Sequence, residues 1–343
     1  MKFGLAFDGA TLPDSDETPR ERYRDVLDIL PDAEAMGYES AFFTSHHVRR
    51  DAWCSSPVVA LAAAAGVTET MTLGTGILIL PLYDPMKLAE DTAVLDNLSD
   101  GRFVLGVAPG YVSEEFAAHR VPREERVGRM EETLYFLEEA WTEERFAFDG
   151  KYFDVPETLM TPKPVQDPHP PIWYGVSGPK MLKRAARRGS VQMASPRHGL
   201  EEVREQFEIY REEADRVGFE IPETPVMRNV MIAESEERAV ELAKPGIEHV
   251  YQDLYGAKSA EGERTLTTDE GETVEDASVA AFEAIRDRFI VGTPEQAIEQ
   301  VERYRDELGM DHLLCWTHTP GVSGEDARRS VELFAEEVMP HFE

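Results

Sequence analysis

MTLGTGILILPLYDPMKLAEDTAVLDNLSDGRFVLGVAPG, residues 71–110, decides the fold. Its first part, 73–80, is an apolar run that carries Gly74 and Gly76 and stops at Pro81. A helical segment over 86–98 follows, then a second apolar run over 103–107 that ends in a Gly/Pro turn. Strand, helix and strand in succession form a βαβ unit, and such units build parallel sheets. Glycine inside a buried strand weakens it, so it marks a place where something approaches the backbone. Gly76 has two readings: it makes room for a neighbouring side chain, or its backbone faces a planar ring.

The same alternation runs outward in both directions. Strands are expected over 2–7, 40–44, 172–174, 191–194, 226–233 and 312–316, and helices over 20–36, 56–67, 123–141, 179–188, 201–217, 294–308 and 326–338. With the two strands above, the count is eight. No glycine-rich fingerprint follows the first strand, which argues against a doubly wound dinucleotide-binding sheet. A closed eight-stranded β/α barrel fits the count, so the expectation is one α/β domain over 1–343. Two segments exceed barrel loops. One, 146–171, reads as a hairpin around Asp149-Gly150 followed by a Pro-rich tail. The other, 256–276, is polar and acidic, and reads as a mobile lid or a disordered insertion.

Composition narrows the function classes. The chain has 343 residues, 42% of them apolar, and a formal net charge of −32. So acidic a surface repels nucleic acid and anionic membranes. It suits a halophilic protein kept soluble in concentrated salt, or is ordinary acidic solubility. The longest apolar stretch, 57–67, is far below the roughly 20 residues of a membrane span. Residues 1–7 read as a strand rather than a secretory leader, so a cytoplasmic location is expected. Cys54 and Cys315 have no CxxC spacing and no Cys/His neighbours, so no metal site and no disulfide framework is expected. Cys315 reads as a core thiol.

In a barrel of this kind the site lies at the C-terminal ends of the strands. After the second strand stand Ser45, His46 and His47; the third offers Thr75, Gly76 and Ile77; Ala108, Pro109, Gly110 and Tyr111 follow the fourth. Gly175, Val176, Ser177 and Gly178 follow the fifth and lead through Pro179 and Lys180 into a helix. Thr317 and His318 follow the last. The Gly175–Gly178 loop reads as a phosphate cradle at a helix N-terminus, or as a tight turn with a Ser near the cap. His46 and His47 have three readings: metal ligands without a carboxylate at ligand spacing, a general acid–base or hydrogen bonder, or one packed and one solvated ring.

These residues resemble the bacterial luciferase-like oxidoreductases along essentially the whole chain. The resemblance rests on AEAMGYESAFFTSHH (33–47), on 73–111, on PPIWYGVSGPKMLKRAAR (170–187), on VGTPEQAIEQV (291–301) and on ELFAEEVMPHF (332–342). It implies a (β/α)8 TIM barrel with luciferase-like insertions. It also implies reduced FMN, or the deazaflavin F-420, bound without a covalent link. By the resemblance, a non-proline cis peptide falls between Gly76 and Ile77 under the flavin ring, and Thr75, Gly76, Ile77 and Ala108 face that ring. Gly175, Val176, Ser177 and Gly178 grip the phosphate, and 256–276 is the lid. His46 matches the catalytic histidine, with His47, Tyr111 and His318 as secondary candidates. Ser45 stands where the family often has Glu, and Pro109 where it often has a phosphate-holding Arg. That leaves Ser177, backbone amides and Lys180 or Arg184 to hold the phosphate. The deazaflavin-dependent sugar-phosphate dehydrogenases match less well: their catalytic Glu aligns near Tyr111, and their Trp has no match at Arg50.

The activity implied is monooxygenation of a small organic substrate by reduced FMN and O2, with a flavin reductase supplying the cofactor and a homodimer as the assembly. The alternatives are F-420-dependent hydride transfer and a non-catalytic flavin-binding barrel.

Overall fold

A computed structural model describes residues 1–255, 266–267, 273–274 and 282–342. The sheet strands are β1 (Lys2–Phe7), β2 (Ser40–Phe43), β3 (Thr72–Thr75), β4 (Phe103–Ala108), β5 (Ile172–Tyr174), β6 (Val191–Gln192), β7 (Pro225–Ile232), β8 (Phe289–Gly292) and β9 (His312–His318). All their pairings are parallel: β9–β1–β2–β3–β4–β5–β6 on one side, and β9–β7–β8 on the other. The two ends meet at a parallel bridge between Ala194 and Val226. There the Ala194 N–H donates to Pro225 O at 3.0 Å, and the Met227 N–H donates to Ala194 O at 3.1 Å. The result is the expected α/β barrel of eight strands, with β8 added along the C-terminal half of β7.

The helices that cover it are α1 (Pro19–Ala35), α2 (Pro57–Ala65), α3 (Pro85–Leu98), α4 (Ser113–Ala118), α5 (Arg126–Thr142), α6 (Pro179–Arg187), α7 (Leu200–Val217), α8 (Glu236–His249), α9 (Pro294–Leu308) and α10 (Gly324–Leu333). Their ends follow local chemistry. Thr18 and Thr293 form capping boxes with Glu21 and Gln296, and Asp84 caps α3. Gly218 and Gly309 end α7 and α9 in the left-handed conformation, which glycine adopts without a Cβ penalty.

The opening stretch departs from one continuous strand. Its strand stops at Thr75, the Gly76–Ile77 peptide is cis, and Leu78–Ile79 then pair with the end of β4 before a turn at Leu80–Leu82. The two glycines serve different neighbours. A Cβ at Gly74 would lie 2.1 Å from the Phe42 ring, which stacks on Trp173 at 5.1 Å. At Gly74 the packing reading therefore holds. A hairpin forms between Phe146–Asp149 and Asp154–Thr158, with its turn over 150–153 rather than at Asp149-Gly150. Strand β8 and helices α4 and α8 were not expected from the sequence, and the helix expected over 123–141 begins at Arg126, after a turn at Arg123–Glu125. The 256–276 lid falls outside the described residues except for Leu266–Thr267 and Thr273–Val274, which pair antiparallel. No helix is long and apolar enough to cross a membrane among the described residues.

The core fills the barrel and the space beneath the helices. Both cysteines are buried and free. At the N-terminal end the barrel closes on a polar chain, in which Ser40 Oγ lies 2.8 Å from His312 Nε2 and His312 Nδ1 lies 2.8 Å from Glu223. The other end opens into a cavity.

Candidate active site

A cavity of about 360 Å³ lies at the C-terminal mouth of the barrel. One wall is the bend of β3, with Gly76, Ile77 and Ile79, and the ends of β2 and β4 add Ser45, His46, Ala108, Pro109 and Tyr111. The loop after β5 supplies Gly175, Val176, Ser177 and Gly178. A Cβ at Gly76 would press on Phe42 and Met227 at 3.1 and 3.2 Å, and one at Gly175 would meet Ile77 at 2.4 Å. Glycine at these two places keeps the wall flat. Trp53, Trp316, Tyr255, Met193 and Met227 add large apolar side chains to the lining.

Nine of the eleven expected site residues share this cavity: His46, Tyr111, Gly76, Ile77, Ala108, Gly175, Val176, Ser177 and Gly178. Thr75 and His47 do not line it. The Thr75 hydroxyl donates to Gly106 O at 2.7 Å and ties β3 to β4. The His47 ring is buried against His119, centroids 4.6 Å apart, and faces Tyr83 at 6.3 Å. His318 is buried beside Phe7, at 5.4 Å. Ser45 donates its hydroxyl to Ile77 O at 2.9 Å and so braces the bend of β3.

His46 is held from three directions. Its Nδ1 lies 2.8 Å from Glu115 Oε1, and its ring stands edge-on to Trp53 at 5.2 Å and to Tyr111 at 5.8 Å. Trp53 is fixed in turn by its indole N–H, which donates to Thr44 Oγ1 at 2.8 Å. Glu115 was not among the expected residues; it lies in α4, a helix the sequence reading omitted.

The cationic groups of the site also differ from expectation. Lys180 and Arg184 do not line the cavity; Arg184 lies 4.0 Å from Glu131. Arg126 and Arg197 line it instead, beside His198, and among the described residues no lining residue is Asp or Glu. Gly178 is also the N-cap of α6, and its carbonyl accepts the Met181 and Leu182 N–H groups at 2.9 and 3.0 Å. The residues present therefore fit a ligand with a flat apolar body and an anionic tail.

A second cluster outside the cavity has metal-like composition: Asp51, His249 and Asp253. It is already served by a cation, because the Arg49 guanidinium bonds both carboxylates. His249 Nε2 lies 3.1 Å from Asp51, and the cluster anchors Val250–Tyr255, which carries Tyr255 into the cavity wall.

Buried titratable groups give the fold a pH dependence. Burial, with repulsion from His119, pushes His47 from 6.5 down to about 4. Burial, with Arg22 and Arg328 nearby, pushes His318 down to about 3. Burial pushes Asp8 up to about 7 against the attraction of Arg22. For the histidines, the unfolded chain takes up protons first, so stability present above pH 6.5 is lost as the pH falls below it. Asp8 acts in the opposite sense: its contribution is complete below about 3.8 and is lost as pH rises through about 7. Acidification between these limits therefore destabilises the protein, with Asp8 opposing the two histidines. His318→Gln removes one histidine, so its stability falls less steeply below pH 6.5, by up to about 1.4 kcal/mol per pH unit. Denaturant unfolding at fixed salt and stepped pH checks this, and equal slopes for the two proteins contradict it.

A flat-walled cavity at the strand ends of a β/α barrel, with a carboxylate-held histidine in its wall, is the layout of a barrel enzyme. The chain belongs to the luciferase-like monooxygenase family, whose sequence model matches residues 1–312. It is 27% identical to the oxygenase component of flavin-dependent trigonelline monooxygenase from Acinetobacter baylyi, covering 100% of this chain and 96% of that one. It is 28% identical to F420-dependent glucose-6-phosphate dehydrogenase from Nocardia farcinica, covering 92% and 93%. Among solved structures, monooxygenase RslO1 from Streptomyces bottropensis superposes with a TM-score of 0.87 at 25% identity over the full length of both chains.

Proposed function

We propose that this protein is the oxygenase of a flavin-dependent monooxygenase that acts with reduced FMN and O2 on a small organic substrate. The observation that carries the reading is the lining: in a chain of net charge −32, the cavity holds Arg126 and Arg197 beside His198 and, among the described residues, no carboxylate. That suits a phosphate-bearing planar cofactor. When bound, FMN supplies the redox chemistry. The protein's residues hold, orient and seal. Gly76, Ile77 and Ala108 make the flat wall for the ring, and Ser177, Gly178 and Arg126 serve the phosphate. Trp53, Trp316, Met193, Met227 and Tyr255 exclude water. His46 holds or moves the proton at its Nε2, and Tyr111 stands beside it, where an acid-dependent hydride transferase needs a carboxylic acid.

The relative named as an oxygenase component supports a separate flavin reductase as partner. F-420-dependent hydride transfer is the second reading, favoured by one observation: Pro109 lines the cavity and offers no charge to an FMN phosphate. An open cavity with His46 in its wall speaks against a non-catalytic barrel. The assembly is a homodimer, supported by exposed Val59 on α2 and by Val94 and Leu98 on the neighbouring α3. The acidic charge supports a halophilic protein.

Two experiments test this. With FMN reduced by a reductase under isotope-labelled O2, one labelled oxygen atom is expected in an organic product; label appearing only in peroxide or water contradicts it. Arg126→Ala and Arg197→Ala each weaken FMN binding about tenfold or more, because a charge-assisted hydrogen bond contributes about 1.5–3 kcal/mol. Riboflavin, which lacks the phosphate, serves as the control in the same calorimetric titration. Equal losses for FMN and riboflavin contradict the phosphate assignment.

A further inference from the structure

Glu115 sits on α4, 69 residues beyond His46, with its side chain fully buried. Its Oε1 accepts the His47 backbone N–H at 2.8 Å and lies 2.8 Å from His46 Nδ1. Its Oε2 has no partner among the described residues, so the carboxylate is committed to the His46–His47 turn. A backbone N–H only donates, so Oε1 acts as an acceptor in that contact. Since Oε1 is already the acceptor of one N–H, the second contact is read in the same sense, with the hydrogen on His46 Nδ1. The proton on Nδ1 leaves Nε2 with a lone pair, on a ring that lines the cavity and is wedged edge-on by Trp53 and Tyr111. The hydrogen bond at one ring nitrogen sets the chemistry of the other.

We propose that Glu115 is a positioning residue that holds His46 as the Nδ1–H tautomer and presents a basic Nε2 to the cavity. The importance of that nitrogen rests on the monooxygenase reading above; the tautomer itself does not. Two consequences follow. Nε2 accepts a hydrogen bond or takes up a proton but donates nothing while the ring is neutral. The same oxygen, through the His47 N–H, fixes the backbone that carries the ring, so tautomer and orientation share one anchor.

The test needs no flavin and no substrate. Protein labelled with [15N]histidine is studied by two-bond 15N–1H correlation at alkaline pH, where imidazole is neutral, and His46 is assigned from the signals missing in His46→Gln. Wild type is expected as a single Nδ1–H tautomer. Glu115→Gln keeps an acceptor oxygen at the His47 N–H and retains that tautomer. Glu115→Ala releases it, and Nε2–H appears. Turnover follows the same order: Glu115→Ala loses about tenfold or more in kcat with little change in KM, and Glu115→Gln recovers most of it. An Nε2–H tautomer in wild type overturns the proposal, as does an unchanged Nδ1–H tautomer in Glu115→Ala. If the alanine variant does not fold, the wild-type and Gln spectra still decide. If no oxygenation is found but the tautomer is as stated, the functional reading fails and the positioning role stands.

Discussion

His46→Ala slows turnover by about 10²- to 10⁴-fold, the range that a positioned acid–base group contributes. FMN binding is little changed, since the flat wall and the cationic end of the cavity lie on other residues: Gly76, Ile77, Ala108, Ser177 and Arg126. The prediction follows from placement. His46 is the ring at this end of the cavity whose second nitrogen is tied to a buried carboxylate, at 2.8 Å. His198, the other histidine in the lining, lies 3.5 Å from Glu202 on the far side of the mouth, beyond β6. Its replacement is expected to leave kcat nearly intact. Steady-state product formation with saturating reduced FMN checks both variants. Wild-type turnover in His46→Ala removes that residue from the chemistry.

Gly106→Ala is the substitution expected to cost the fold most. A Cβ at this position in β4 would lie 2.0 Å from the Thr75 carbonyl oxygen, where no rotamer change relieves the clash. Moving it means moving the β3–β4 pair, which Leu73–Phe103, Gly74–Val104 and the Thr75 hydroxyl bond to Gly106 O hold together. Overpacking of a core costs typically about 1–3 kcal/mol, and a clash with backbone falls at or beyond the top of that range. Gly178→Ala provides the contrast: nothing lies within 4 Å of its Cβ position, and a change within about 0.5 kcal/mol is expected. Denaturant unfolding of both variants at one pH and salt concentration checks the pair. A Gly106→Ala cost below about 1 kcal/mol contradicts the close approach.

Much of the barrel was legible because its strands are short apolar runs and its helices carry their own caps. Eight strands were placed close to where they lie. The exceptions have local causes. The 73–80 run reads as unbroken because every residue in it is compatible with a strand, yet the chain bends at Gly76–Ile77. Strand β8 is four residues long and pairs along only half of β7, too little for a period to show. The opening glycines needed neighbours before they could be told apart: Gly74 yields to the Phe42 ring, whereas Gly76 lies in the cavity wall.

The site was legible where it lies on loops that follow strands, and opaque where it depends on pairing across the chain. His46 could be singled out at a strand end, but no spacing rule reaches from it to Glu115. Beside the Gly175–Gly178 loop, the sequence offers positive charge at Lys180 and Arg184. It comes instead from Arg126 at the start of α5 and from Arg197 after β6, and adjacency in a barrel is adjacency between successive strand ends. Thr75 and His47 stand at strand ends in the sequence, but their side chains turn to β4 and to His119.

The central claim is that the cavity takes reduced FMN. Equilibrium titration of the purified protein in high salt with reduced FMN and, in parallel, with F-420 tests it most directly. Saturable one-to-one binding of reduced FMN, tighter than that of F-420, is the predicted result; binding of F-420 with none of FMN would contradict it.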